Sequence, residues 1–281
     1  MSIQTVKIDV NKIQEIALLG VRRAAVFMGL GINAARDSRF REYKLTHITG
    51  IELIPADVDE KTIGHFKEEF QLWIIESGFR ELLERFSLFL DAIHHHSLLL
   101  ATNRKKISPE DAEKLHNKFE YTGVTGKLDQ MEETFGMSFR HVHYLETLSQ
   151  ARNCLTHRLG IVGDKDCGSD GHFELRWRSF DLLVQALDKD EPVNLSFPIK
   201  EPVYFEKGGE VQLKIVDRVR RFPKGAKLAL LSKDLAEICH FVILASNDVA
   251  TAMIDYAKSI GAAEDDTQQK SPSGSDPTVP L

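Results

Sequence analysis

The sequence predicts a mainly α-helical protein with a small β-rich insert late in the chain. Apolar residues recur with helical spacing through most of the first 160 positions. Strict alternation of apolar and polar residues begins only later, at 173–177 and again at 211–215. The last residues are polar and lack core-forming side chains. We therefore predict one helical domain over residues 1–262, with its β-rich insert at about 172–222, and a disordered tail over 263–281.

Composition narrows the class of protein. The net charge of -6 argues against a general high-affinity nucleic-acid binder, although residues 218–227 hold five basic side chains and no acid. The three cysteines are scattered, which argues against a disulfide framework or a structural zinc site. No apolar run reaches the roughly 18 residues of a membrane span, and the N-terminus lacks a secretory pattern. We expect a cytoplasmic protein with no membrane partner.

The first helix is predicted at 13–30, although Gly20 and Gly29 weaken the pattern. The stretch GLGINA at 29–34 is similar to half of a dinucleotide-binding fingerprint. That fingerprint requires a preceding strand, and the neighbouring residues here are helical. Close helix packing at glycine is the better interpretation.

The middle of the chain holds further helices. Residues 57–101 predict one or two long helices, with Asp57 as a possible N-cap. Ser108 and Pro109 begin a helix that runs to about residue 121, and a short helix follows from about 127 to 135. Ser232 is the predicted cap of a closing helix at 234–261. His94, His95 and His96 lie about 100° apart on a helix, which favours a polar interruption of a core helix over a metal site. We predict neither a metal nor a cofactor.

The helix predicted at 139–160 contains the stretch ARNCLTHRLGIV, whose polar residues are the main candidates for chemistry. A helical wheel centred on Leu148 gives an apolar stripe, and Cys154 at its flank is expected to pack rather than react. Asn153 and His157 share the opposite face, whereas Arg152 lies about 140° from His157. The stripe comprises Leu145, Leu148, Ala151, Leu155, Leu159 and Val162, and the polar face comprises His143, Glu146, Gln150, Asn153 and His157.

Two interpretations of this helix remain open. In the first, it is an ordinary amphipathic helix, Arg152 has a carboxylate partner and His157 is solvated. In the second, His157 transfers a proton, Arg152 holds a phosphate and Asn153 assists. The second interpretation requires these side chains to converge. Either the helix distorts near His157, or a second copy of the motif faces the first across a dimer.

The motif resembles the signature of the HEPN family, in which Arg and a following polar residue precede His by a short interval. Here the residues are Arg152, Asn153 and His157. The resemblance covers about residues 57–261 and implies an up-and-down helical bundle that dimerises through the motif helix. It further implies a metal-independent endoribonuclease of a toxin or phage-defence system, with an RNA substrate, ribose 2′-hydroxyl attack, and an antitoxin or regulatory protein as partner. His157 is then the acid/base and Arg152 the phosphate contact, with Asn153 assisting. We add Glu146, on the same face as His157, as a helper that orients the imidazole.

Three alternatives are kept beside this prediction. The second hypothesis is a catalytically inactive HEPN-like module that binds and regulates a partner protein or nucleotide. His143, Glu146 and His157 share a face that could hold a metal, although no second motif of that kind is found. The basic run is either a solvated turn or an RNA-backbone contact. Its members are Arg218, Arg220, Arg221 and Lys224.

Overall fold

The computed structural model describes residues 7–39, 58–187, 191–195, 204–205 and 207–263. Within them, six helices and a three-stranded sheet confirm a mainly α-helical protein with a small late β insert. The elements are α1 (Val10–Arg36), α2 (Glu60–Asn103), α3 (Pro109–Glu120), α4 (Val124–Phe135), α5 (Val142–His157), β1 (His172–Ala186), β2 (Val193–Leu195), β3 (Gly209–Pro223) and α6 (Ser232–Ser259).

Helices α1 and α2 pack closely and antiparallel, and glycines make the close approach possible. Gly20 lies against Arg85, and Gly31 lies against Ile74. The later residue of α1 therefore contacts the earlier residue of α2, as antiparallel packing requires. A Cβ atom added at Gly31 would lie 2.0 Å from the Ile74 side chain. The whole GLGINA stretch is helical, and the predicted close packing is confirmed at Gly31 but not at Gly29, which has open space around it.

The centre of the core is the C-terminal two thirds of α2, which contacts α1 and every later helix. Its buried aromatic and aliphatic side chains belong to the hydrophobic core that it shares with these helices. The fully buried ones are Phe79, Leu82, Phe86, Phe89, Leu90 and Ile93. Among the described helices, α6 alone has the length and apolar composition to cross a membrane, and 61% of its most apolar stretch is buried inside the protein.

The insert forms an antiparallel sheet in the order β2-β1-β3. Phe173, Leu175 and Trp177 of β1 are buried, as the alternating pattern predicted, and the indole of Trp177 donates to Glu237 of α6 over 3.0 Å. The opposite end of β3 is different. Every residue from Gly209 to Ile215 is exposed, although Val184 and Ala186 of β1, which pair with this half of β3, are buried.

Helix α5 is fixed to the sheet by two polar contacts. The hydroxyl of Thr147 accepts from the backbone N–H of Arg176 and donates to its carbonyl, both at 3.1 Å, and so covers that edge of β1. The hydroxyl of Tyr144 donates to Asp217 of β3 over 2.6 Å. These contacts set the position of the motif helix relative to the insert.

The ends of several helices depart from the prediction. The Ser108 cap is confirmed, since its hydroxyl accepts from the N–H of Asp111 over 3.1 Å. Helix α2 is a single helix capped by Asp59, whereas the expected cap Asp57 lies outside the described residues. The cap of α6 is Leu231 rather than Ser232, because the Asp234 carboxylate accepts the Leu231 N–H over 2.9 Å. The predicted tail lies outside the described residues beyond position 263.

The motif helix is shorter than predicted and ends at His157. Leu159 and Gly160 both adopt left-handed backbone angles, with φ of 53° and 78°. The placement of Leu159 in the apolar stripe is therefore wrong: the turn leaves its side chain 83% exposed. Val162, placed in the same stripe, is buried although it lies beyond the end of the helix.

Candidate catalytic helix and its pocket

The apolar face of α5 holds the motif residues in place. Leu145, Leu148, Ala151 and Leu155 are buried, which confirms most of the predicted stripe. Cys154 is also buried, and burial raises the pKa of its thiol. Its thiol donates to the Ile161 carbonyl, so Cys154 is a packing residue rather than a nucleophile.

The polar face of α5 is open to solvent. Glu146, Asn153 and His157 are exposed, and Arg152 is half-buried. His157 is the last residue of the helix, and the turn after it is fixed by an ion pair between Arg158 and Asp166. The second oxygen of Asp166 accepts the Gly163 N–H over 2.8 Å. A solvent-exposed imidazole therefore lies at the end of the helix, directly before a turn that these contacts fix.

Arg152 has the contacts expected of an available phosphate ligand. Within the described part of the chain, no carboxylate forms an ion pair with it; its hydrogen bond goes from Nη1 to the Asn153 side-chain oxygen, at 3.3 Å. The described residues therefore do not support the interpretation of Arg152 as a structural arginine with a carboxylate partner. Its guanidinium retains donors for an incoming anion.

Arg152 and Asn153 line a pocket of about 400 Å³ between α5, α2 and the turn that joins α3 to α4. Tyr121, on that turn, is 91% exposed beside the pocket. Lys127 supplies a cation at the opposite wall, but its side chain is only 3% exposed and is held by Asp91 at 2.6 Å. The other polar residues of the lining are Glu84, Ser87, Glu120, Thr122 and Ser149.

The pocket does not include His157 or Glu146. The helix is regular up to His157, so Arg152 and His157 stay about 140° apart around its axis. Glu146 lies about 16 Å from His157 along the axis, which is too far for a contact within one chain. Local distortion therefore does not bring these residues together. Convergence, including the helper role predicted for Glu146, requires a second copy of α5.

Each of the basic residues predicted to contact RNA forms an ion pair with at least one carboxylate. They lie on β3 or directly after it, where they join the sheet to α6 and to the preceding loop. An RNA phosphate would have to displace these carboxylates, whereas Arg152 needs no such exchange. The pairs are Arg218 with Asp181 and Glu237, Arg220 with Asp234, Arg221 with Glu174 and Asp170, and Lys224 with Asp164.

The histidines of α2 form a packed cluster. His94 is 1% exposed and stacks on Phe119 at 3.7 Å between ring centroids. His96 bonds the Ala92 carbonyl at 2.7 Å. In the part of the chain that the structure describes, no group of three His, Cys, Asp or Glu residues could hold a metal ion, and this includes the set of His143, Glu146 and His157.

Sequence reasoning missed Tyr121 and Lys127. Tyr121 follows a short amphipathic helix, and no sequence pattern marks an exposed aromatic residue at that position as part of a pocket. The burial of Lys127 depends on its ion pair with Asp91, which lies 36 positions away in the chain. Comparison with known proteins adds no further residue: no protein-family model, no curated protein and no solved structure matches this chain.

Proposed function

We propose that the protein is a metal-independent endoribonuclease with a HEPN-like helical domain, acting in a toxin or phage-defence role. The observation that carries the proposal is that Arg152 is available to bind a phosphate. It is accessible, lines a pocket and lacks a carboxylate partner among the described residues, while a solvated His157 lies five residues further along the same helix.

The reaction fits these two residues when two copies of α5 face each other. One His157 accepts the proton of the ribose 2′-hydroxyl, whose oxygen forms a bond to phosphorus. The bond from phosphorus to the 5′ oxygen breaks, and a second imidazole supplies the proton to that leaving oxygen. Arg152 balances the charge that develops on the phosphoryl oxygens. The products are a 2′,3′-cyclic phosphate and a free 5′-hydroxyl.

A cleavage assay tests this proposal directly. Purified protein is incubated with a labelled single-stranded RNA in excess chelator, beside His157→Ala and Arg152→Ala. We expect cleavage by the wild type and a loss of about 10²- to 10⁴-fold for each variant. His65→Ala and Arg22→Ala are matched controls, because both residues are exposed and lie far from α5 in sequence, and both should retain full activity. A 2′-deoxy substitution at the cut position should abolish cleavage.

The second candidate is a catalytically inactive module that binds a nucleotide. It is favoured by the fact that Arg152 and Asn153 line the pocket whereas His157 does not. This candidate predicts intact RNA in the cleavage assay, together with binding of a labelled oligonucleotide that Arg152→Ala weakens and His157→Ala leaves unchanged. Cleavage that chelator abolishes would contradict the metal-independent mechanism.

A further inference from the structure

The outer edge of β3 has the features of a strand that pairs with another chain. Its exposed half carries Val211, Leu213 and Ile215, each 66% or 67% exposed. A long exposed edge strand with an apolar face is a strong template for strand addition. Soluble proteins avoid such edges unless they are paired or protected.

The backbone groups of these same residues point outward. The Leu187 N–H donates to the Gly208 carbonyl over 3.2 Å, one position beyond the pair of Ala186 with Gly209. Hydrogen-bonded positions alternate along an antiparallel pair, so the even-numbered residues of β3 bond β1. The odd-numbered residues, Val211 and Leu213 among them, direct their N–H and C=O groups to the outer edge. In the described part of the protein, no hydrogen bond reaches that edge between Gly209 and Ile215.

We propose that β3 pairs antiparallel with β3 of a second copy of this chain, on a two-fold axis at Gln212. The charges of the strand favour this register. With the axis at Gln212, Glu210 lies opposite the partner's Lys214. This pair occurs twice by symmetry, and opposite charges directly across a strand pair stabilise it.

The apolar residues agree with the same register. Val211 lies opposite the partner's Leu213, and both are odd-numbered residues whose backbone groups face the new partner. Moving the axis to Lys214 would place two lysines face to face. Moving it to Leu213 keeps the apolar contacts but leaves Glu210 opposite the partner's Val216. The axis at Gln212 is the register that satisfies hydrogen bonds, apolar contacts and charges together.

This interface is separate from the face of α5 that the proposed nuclease mechanism requires. Thr147 of α5 covers the opposite edge of β1 from the one where β3 pairs. A chain that uses β3 alone forms a dimer with one continuous six-stranded sheet, and a chain that uses both faces forms a larger assembly. The nuclease proposal can therefore fail without affecting the proposed strand pairing.

A disulfide placed on the axis tests the register. Gln212→Cys brings two thiols opposite each other at a non-hydrogen-bonded position, where Cα atoms lie about 4.5 Å apart, a separation a disulfide can span. The background is Cys167→Ser, since Cys154 and Cys239 are buried. We expect Gln212→Cys to form a covalent dimer on a non-reducing denaturing gel. Leu213→Cys, one residue away, should crosslink far less. The reverse result would overturn the proposed register.

Charge exchange tests the pairing without any covalent bond. Glu210→Lys alone and Lys214→Glu alone should each weaken the assembly about tenfold in Kd, because each places like charges opposite each other at two sites. The double variant carrying both changes should recover wild-type affinity. Sedimentation velocity over a concentration series measures all four proteins. A full-length chain that stays monomeric, or a double variant no tighter than the single ones, would overturn the proposal.

Discussion

The buried imidazole of His94 makes the stability of this protein depend on pH. Burial, together with nearby His116, His95 and Lys127, lowers the pKa of His94 from 6.5 to about 4. His94 is therefore neutral in the folded protein throughout the neutral range, with its ring against Phe119. In the unfolded chain the imidazole is solvated and titrates near its ordinary pKa.

The sign and size of the effect follow from this difference. Between pH 6.5 and about 4 the unfolded chain binds a proton that the folded protein excludes, so acid favours unfolding. The contribution of His94 is fully present above pH 6.5 and is lost at about 1.4 kcal/mol per pH unit below it. Lowering the pH from 7 to 5 should therefore remove about 2 kcal/mol of unfolding free energy through this residue. His95 and His141, whose pKa values burial also lowers, act in the same direction.

Urea unfolding at a series of pH values, with the wild type beside His94→Gln, isolates this contribution. The variant lacks the titrating group while His95 and His141 remain. Its unfolding free energy should therefore fall about 2 kcal/mol less than that of the wild type between pH 7 and 5. His65→Gln, a change at an exposed histidine, should leave the wild-type pH dependence intact. Equal pH dependence in the wild type and His94→Gln would refute the argument.

Two further predictions concern packing and a buried ion pair. Gly20→Ala should destabilise the protein by about 1–3 kcal/mol, because its Cβ would lie 2.6 Å from the Cβ of Arg85, which cannot move without the backbone of α2. Gly29→Ala, in the same helix with open space around it, should stabilise it by up to about 1 kcal/mol; thermal unfolding compares the two, and equal effects would contradict the close packing. Lys127→Met should cost about 2 kcal/mol, since it leaves Asp91 without its cation, and a second change of Asp91→Leu should recover much of the loss. A chemical-denaturation cycle measures this coupling, and additive effects would argue against it.

Local patterns were sufficient to predict much of the fold. The Ser108-Pro109 start of α3 and the end of α4 at residue 135 depend on contacts within a few residues, and both are found as predicted. The alternation of Phe173 and Trp177 predicted the buried side of β1 because strand side chains have a period of two. The exposure of Leu159 was missed, since a non-glycine residue with positive φ is not signalled by hydrophobic period.

The candidate site depends more heavily on distant contacts. The exposure of His157 and Asn153 followed from the wheel, because helix geometry is local. The sequence could not show whether a basic residue is available to bind RNA, because this depends on carboxylates that lie elsewhere in the chain. Arg220, for example, is occupied by Asp234 of α6. The pocket beside Arg152 likewise arises where α2, α5 and the turn before α4 meet.

The contact of Thr147 with both backbone groups of Arg176 limits how large an assembly built on the sheet can become. A sheet with two open edges can add chains without end and grow into a fibre. Here Thr147 of α5 covers the edge of β1 that faces away from β3. The short β2 pairs with the same edge and is only three residues long. Growth through β3 would use the long edge in a single symmetric step. The proposed pairing through β3 would therefore give a closed pair rather than a fibre.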